Sequence, residues 1–143
     1  MFKQLLNKKL LKNEKGLTLI ELLAVIVILA IVAAIAIPAI GNIIENSRIK
    51  GMKADIANVI SSANLYQTEN NALPAKAQDL ADFVQTFGTV DKDATFSIED
   101  KEIAISGKAT VNGKDYTLLK VKVSKLKMDK KDLADTGITP PSP

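Results

Sequence analysis

Lys15-Gly16-Leu17-Thr18-Leu19-Ile20-Glu21 leads directly into LLAVIVILAIVAAIAIPAI, the run from Leu22 to Ile40. This run of about 19 residues has no charge and no side chain more polar than that of Pro38. At ~1.5 Å of rise per helical residue it spans roughly the ~30 Å hydrocarbon core of a bilayer. A buried helix of a soluble protein is the competing reading. A helix that is apolar all round needs a large protein to cover it, and a chain of 143 residues offers nothing of that size. The stretch therefore predicts a single membrane span, entered through a glycine and an acid.

Toward the N-terminus, Lys3, Lys8, Lys9, Lys12 and Lys15 stand against Glu14 alone, so residues 1–16 carry +4. The chain nets +3, which leaves −1 for everything after Gly16. A basic excess confined to one short leader orients the span. The positive-inside rule places residues 1–16 in the cytoplasm and everything beyond Ile40 outside. An ordinary secretory signal also opens with basic residues. Here the small-x-small sequence Ala34-Ile35-Ala36 lies inside the run, and cleavage there would discard the hydrophobic stretch and leave Glu21 without purpose. The chain has no cysteine and no histidine. That excludes zinc sites built on those residues, Cys–His and Ser–His–Asp catalysis, and a disulfide-held core, so the exported part must be held by packing alone. Four Phe, two Tyr and no Trp are poor material for stacking nucleic-acid bases.

The junction over residues 15–23 resembles the type IV prepilin signature: a basic leader ends in glycine (Gly16), a hydrophobic residue follows (Leu17), and glutamate stands fifth after the cut (Glu21). The likeness covers residues 12–45 and includes Pro38, where pilins carry a helix-kinking proline; Leu17 stands where Phe is the commonest choice. The resemblance implies cleavage after Gly16 by prepilin peptidase, N-methylation of Leu17, and assembly through Glu21 by a pilus assembly platform and its ATPase. The residues agree with it physically. Gly16 has no Cβ and can enter a narrow protease cleft in extended form. Glu21 lies within about one helical turn of the terminus that cleavage would create. An acid in an apolar run costs ~2.5–3.5 kcal/mol on insertion scales and is rarely left unpaired. The partner proposed for it is the α-amino group of a neighbouring subunit's Leu17, a pair that sets axial register and orientation. The alternative is a Glu21 that snorkels to the cytoplasmic interface. Pro38 lacks an N–H and clashes with the preceding turn, so a kink or local melting is expected there, and Gly41 adds freedom.

From Asn42 polarity rises while helical periodicity persists: Ile49, Met52, Ile56, Val59, Ile60, Ala63 and Tyr66 or Gln67 share one face, with Arg48, Lys50, Lys53, Asp55 and Asn58 mostly elsewhere. The helix should end near Asn70-Asn71, before Pro74, giving roughly 54 residues from Leu17, or ~80 Å if continuous. Residues 17–44 form its transmembrane, filament-core half and residues 45–71 its amphipathic upper half. A headgroup follows over residues 72–135. Pro74 to Phe87 reads as a short second helix stopped by Gly88, because Leu80, Phe83, Val84 and Phe87 fall at helical spacing. Strands follow at Thr95–Ile98, at Ile103 to Val111 with Gly107 a bulge, and at Tyr116 to Val123, joined by turns at Asp100-Lys101 and Asn112-Gly113. Residues 136–143, ending Pro140-Pro141-Ser142-Pro143, read as a loose extended tail. The expected fold is α+β and pilin-like, one long N-terminal helix packed against a small antiparallel three-stranded sheet.

Candidate chemistry in the headgroup is sparse. Lys120, Lys122, Lys125, Lys127, Lys130 and Lys131 could form a DNA-binding stripe, but Lys120 and Lys122 alternate with Val121 and Val123 as on the solvent face of a half-buried strand. Asp129, Asp132 and Asp135 interrupt the stripe. They are also weak calcium candidates, with three carboxylates against the 6–8 oxygens calcium takes. Neither DNA nor a metal or other cofactor is expected. Nothing in residues 72–143 supplies a nucleophile–base pair or a phosphate loop, so no enzyme is expected. The reading is a structural subunit of a type IV pilus-like filament serving adhesion, motility or DNA uptake. It is inserted in the bacterial membrane with its leader inside, in contact with lipid, and then polymerised with copies of itself at the cell surface. A pseudopilin of a type II secretion or competence machine is the alternative within the class. The competence proteins often carry a cysteine pair that is missing here. A single-span membrane receptor module is the alternative outside it.

Overall fold

In the computed structural model the backbone is described over residues 2–126 and 133–142, with side chains from residue 18 onward. The chain divides into two compact units, Met1–Glu45 and Asn46–Pro143. A helix, α1 (Phe2–Asn70), supplies the described residues of the first unit and opens the second. It takes in residues 2–16 as well as the apolar run. It ends where expected: Asn71 adopts the left-handed conformation (φ 53°) that commonly closes a helix, and Pro74 follows.

In the second unit α1 presents Met52, Ile56, Val59, Ile60 and Ala63, all at most 1% exposed, with Ile49 and Tyr66 half-buried at the ends of the stripe. This is the face read from the 3.6-residue period. It packs with the sheet residues Ile103, Ile105, Ala109, Val111, Tyr116, Leu118 and Val121 in one apolar cluster.

The sheet is antiparallel, of four strands in sequential order: β1 (Thr95–Glu99), β2 (Glu102–Val111), β3 (Lys114–Lys122) and β4 (Ile138–Thr139). The expected three strands are present, and the fourth corrects both the strand count and the loose tail. Ile138 pairs with Leu118 and Thr139 with Thr117, while Ile138 (0% exposed) and Thr136 (2%) are buried. One turn of 3₁₀ helix, Ala134–Thr136, leads in, and Gly137 turns the chain at φ 83°, where a Cβ would strike the Leu119 carbonyl oxygen. A composition rich in Thr and Pro looks like tail, but a single Ile after a left-handed Gly is enough to dock it. A one-turn helix, α2 (Val123–Leu126), follows β3 and buries Leu126.

Both two-residue turns form. Asn112 (φ 52°) and Gly113 (φ 74°) are both left-handed, as are Asp100 (φ 52°) and Lys101 (φ 68°), matching the right-handed twist of the strands they join. The expected bulge lies beside Gly107, with its extra residue on β3. The register passes from Ile105 opposite Val121 to Gly107 opposite Leu118, so Leu119 and Lys120 together face Ser106. Lys120 turns left-handed (φ 49°), and the Ser106 hydroxyl accepts its N–H at 3.0 Å. Gly107 serves a close approach instead: a Cβ there would lie 2.8 Å from Ala94 Cα.

The second helix expected over Pro74 to Phe87 does not form. Only Ala77–Leu80 is helical, as 3₁₀ helix, with the Asp79 carboxylate accepting the Lys76 N–H at 2.9 Å. The N–H groups of Ala77 and Gln78 go to the carbonyls of Ala94 and Lys92, and those of Phe83 and Val84 both go to Leu80. The Phe83 carbonyl accepts the Ser62 hydroxyl at 3.1 Å. The apolar side chains still reach their targets: Leu80 is fully buried, Val84 and Phe87 pack on the core, and Phe83 meets Tyr66 edge-on at 5.5 Å. The helical spacing reflected burial, which one tight turn and a loop satisfy equally well.

Candidate functional site

Most described side chains of the first unit are exposed. From Leu19 to Ile44 its large apolar side chains are 46–71% exposed, and an 18-residue window of the helix reaches a mean hydropathy of 3.1 with none of it buried. Burying a Leu, Ile or Val stabilises by ~1.5–3 kcal/mol, so a helix of this kind must be covered by lipid or by other helices. Length and composition make it the one helix among the described residues able to cross a membrane.

The residues singled out at its start all lie on α1. Gly16 and Leu17 are in its helical backbone, just before the first described side chain at Thr18. A glycine inside a helix costs ~1 kcal/mol relative to alanine, so Gly16 is a weak point at which the helix can be opened. Glu21 is exposed, and among the described residues it has no ion-pair partner in its own chain. Pro38 sits inside α1, which is helical on both sides of it. Its missing N–H deprives the Ala34 carbonyl of the usual bond.

In the second unit two of the three lysines of β3 are engaged. Lys120 Nζ lies 2.7 Å from Glu99 Oε1 and Lys122 Nζ 2.5 Å from Asp100 Oδ2, so two ion pairs reach from β3 over β2 to the β1 hairpin. Ala104 of β2, opposite Lys122, is fully buried although it is not part of the apolar cluster that holds Ile103 and Ile105 on either side of it. Asp135 stands in the last 3₁₀ turn, while Asp129, Asp132, Lys127, Lys130 and Lys131 lie outside the described residues. Among the described residues no group of three or more acidic side chains is placed to hold a metal ion. A polar depression of about 270 Å³ is lined by Ile60, Asn64, Lys101, Glu102, Ile103, Val123 and Ser124, with the Ser124 hydroxyl donating to Glu102 Oε2 at 2.7 Å. That serine faces a carboxylate rather than a histidine, which the chain lacks.

Asp55 lies off the apolar stripe of α1 and is half-buried. The structure turns its carboxylate to the loop before β1, where Oδ2 accepts the Thr89 N–H at 2.9 Å and the Thr89 hydroxyl at 3.0 Å. Gly88 permits this, since a Cβ there would overlap the carboxylate. The dipeptide Gly88-Thr89, read only as a helix stop, was the available signal.

The exposed ion pairs give the head a defined pH response. A hydrogen bond from Lys122 holds the Asp100 carboxyl below its ordinary range, aided by the ammonium's charge. Lys76, 2.7 Å from Asp93, does the same to that residue. The hydrogen bonds raise the two lysines in turn. Lowered carboxyls stabilise above their unfolded pKa and lose that contribution as pH falls through the folded value. Raised lysines stabilise below theirs and lose it as pH rises. Melting should therefore be flat between about pH 5 and 9 and should fall below about pH 4. The acid-side fall should be shallower in the Asp93→Asn/Asp100→Asn double variant. An identical acid limb, measured by circular dichroism, would remove these pairs from the account.

Residues 11–37 match the family model described as the prokaryotic N-terminal methylation motif. No curated protein and no solved structure matches the chain. The motif implies processing by prepilin peptidase, and with the apolar helix it supports a membrane-anchored precursor. On a long N-terminal helix joined to a small antiparallel sheet, this chain carries a class III signal, which is consistent with the type IV pilin and pseudopilin superfamily.

Proposed function

We propose that the chain is a structural subunit of a type IV pilus-like filament. It is cleaved after Gly16, methylated on Leu17, and polymerised through Glu21 and the apolar helix into a filament at the cell surface. The observation that carries this reading is the junction itself. A glycine stands one residue before a prospective α-amine, and an acid follows within one turn at the start of an apolar segment whose large side chains, from Leu19 to Ile44, are 46–71% exposed. A pilin is favoured over a pseudopilin, and electron microscopy of surface filaments from a deletion strain and its complement separates the two.

The direct test is the N-terminus of the mature protein. Mass spectrometry of membrane and surface fractions should find a chain beginning at N-methyl-Leu17. Recovery of the intact Met1 form alone, in cells with an active prepilin peptidase, would defeat the filament reading and leave a single-span membrane protein.

A further inference from the structure

The two edges of the sheet differ. β4 runs into Pro140 and Pro141, which have no N–H to offer a further strand. β1 has no Pro, Lys or bulge over Thr95–Glu99, the usual protections of an edge. Its ladder with β2 closes in the two-residue turn Asp100-Lys101, so Glu99 and Glu102 exchange their backbone bonds. Alternation then turns Thr95, Ser97 and Glu99 toward β2 and leaves Phe96 and Ile98 pointing away. Bonds further along β2 obey the same alternation: the Lys108 carbonyl accepts the Asp91 N–H, and the Thr110 N–H goes to the Thr89 carbonyl. On the free side, the carbonyls of Lys92 and Ala94 are taken by the N–H groups of Gln78 and Ala77, and the cover stops there. Among the described residues nothing bonds the backbone groups of Phe96 and Ile98, and Ile98 is 55% exposed.

This edge is self-complementary. Laid antiparallel on a second copy about Ser97, Phe96 and Ile98 exchange both backbone bonds with Ile98 and Phe96 of that copy. The two side chains lie on the core side of the sheet, opposite Ile105 and Ile103, so each covers its counterpart. Run on past the strand ends, the same register brings Lys101 to Asp93 and Glu102 to Lys92, all exposed and opposite in sign. Asp93 shares Lys76 with Asp79 and Asp91, so acid is in excess where Lys101 arrives. The copy's chain leaves the line at its own Asp100-Lys101 turn, level with Ala94, where the Ala77–Leu80 turn takes over the edge.

We propose that the free edge of β1 pairs antiparallel with β1 of a second copy, about Ser97, and joins two heads in one continuous sheet. The contact is isologous, whereas polymerisation through Glu21 and a neighbour's α-amine is heterologous. It therefore ties one filament to another, and in this it rests on the filament reading. A strand of five residues buries far less than the ~1,200 Å² of a stable interface. Single heads pair weakly, and rows of them along two filaments hold by avidity.

The chain has no native cysteine, so Ser97→Cys gives the full-length protein a single thiol. In the paired register the two copies of this position form a non-hydrogen-bonded pair with Cα atoms ~4.5 Å apart, within disulfide range. Under mild oxidation of the full chain in detergent, Ser97→Cys should dimerise at least about tenfold faster than Thr117→Cys, at an exposed position on β3, a preference of about 1.4 kcal/mol. Adding Ile98→Pro removes an N–H that β2 does not use and should abolish the excess. Should that variant melt early, Ile98→Lys, which keeps the N–H and removes the apolar cover, decides the point. Dimers no faster than the control, or an excess that survives these changes in folded heads, overturn the pairing and leave the edge to a strand of another protein. A chain that pairs in detergent but forms no filaments in cells defeats the filament reading instead and leaves the edge contact standing.

Discussion

Replacing Glu21 with alanine is expected to leave the precursor inserted and cleaved while all but eliminating its incorporation into filaments. Insertion should if anything improve, because the acid costs ~2.5–3.5 kcal/mol in an apolar segment. Cleavage should persist, because the bond cut lies on the far side of Leu17. Assembly is where the loss falls. In the proposed filament each Glu21 neutralises a neighbour's α-amine, and removing one partner of a buried pair costs ~3–5 kcal/mol by stranding the other charge. That is more than about a hundredfold in the equilibrium for adding a subunit. Immunoblots of membrane and sheared surface fractions should show mature protein accumulating in the first and vanishing from the second. Normal filaments from Glu21→Ala would end the pairing role and leave Glu21 as an interfacial acid. Glu21→Gln sharpens the result: it keeps hydrogen bonding but not charge, and it should fail nearly as badly.

The second large effect concerns the head. Ile138→Ala is expected to destabilise the second unit by about 2–5 kcal/mol, the range for truncating a fully buried Ile. For a domain of this size the melting temperature should drop on the order of 10–20 °C. Ile138 is 0% exposed and pairs with Leu118, itself 1% exposed, so its removal opens a void beside β3 at the point where β4 closes the sheet. Thr139→Ala, at an exposed neighbour on the same strand, is the control and should change little. Thermal melts of the full chain in detergent distinguish the two. A loss under about 1 kcal/mol for Ile138→Ala would mean that β4 merely rests on the sheet.

The parts of this molecule legible in the sequence are those where one strong local rule acts alone. The apolar run from Leu22 to Ile40 admits few alternatives, and the stripe from Met52 to Ala63 repeats often enough to fix a face. Asn112-Gly113 names its own turn. The failures share a different cause. Leu80, Phe83, Val84 and Phe87 are spaced for a helix, yet long-range acceptors at Ala94 and Lys92, and a hydroxyl from Ser62, reorganise that backbone into turns. Ile138 is one apolar residue among polar and proline neighbours, and only the groove beside Leu118 makes it a strand. Lys120 looked like a regular member of an alternating strand. The extra residue at the bulge was invisible until β2 supplied the register. At the junction, by contrast, the chemistry depends on sequence order alone, so the family match over residues 11–37 coincides with the residues read there.

The two hairpins of the sheet are unequal. The turn joining β2 to β3 has Asn112 and Gly113, residues suited to left-handed backbone, and long strands on either side. The turn joining β1 to β2 asks the same conformation of Asp100 and Lys101, and Lys101 resists it for want of a glycine's freedom. Beyond its ladder with β2 and the half-buried Phe96, β1 is held by Glu99–Lys120 and Asp100–Lys122, contacts that dissolved ions screen. Raising salt is therefore expected to loosen this edge, and hydrogen exchange should show the amides of β1 exchanging faster, and with more dependence on salt, than those of the β2–β3 hairpin. The head has a soft margin and a hard centre, and ionic strength sets how far the margin yields.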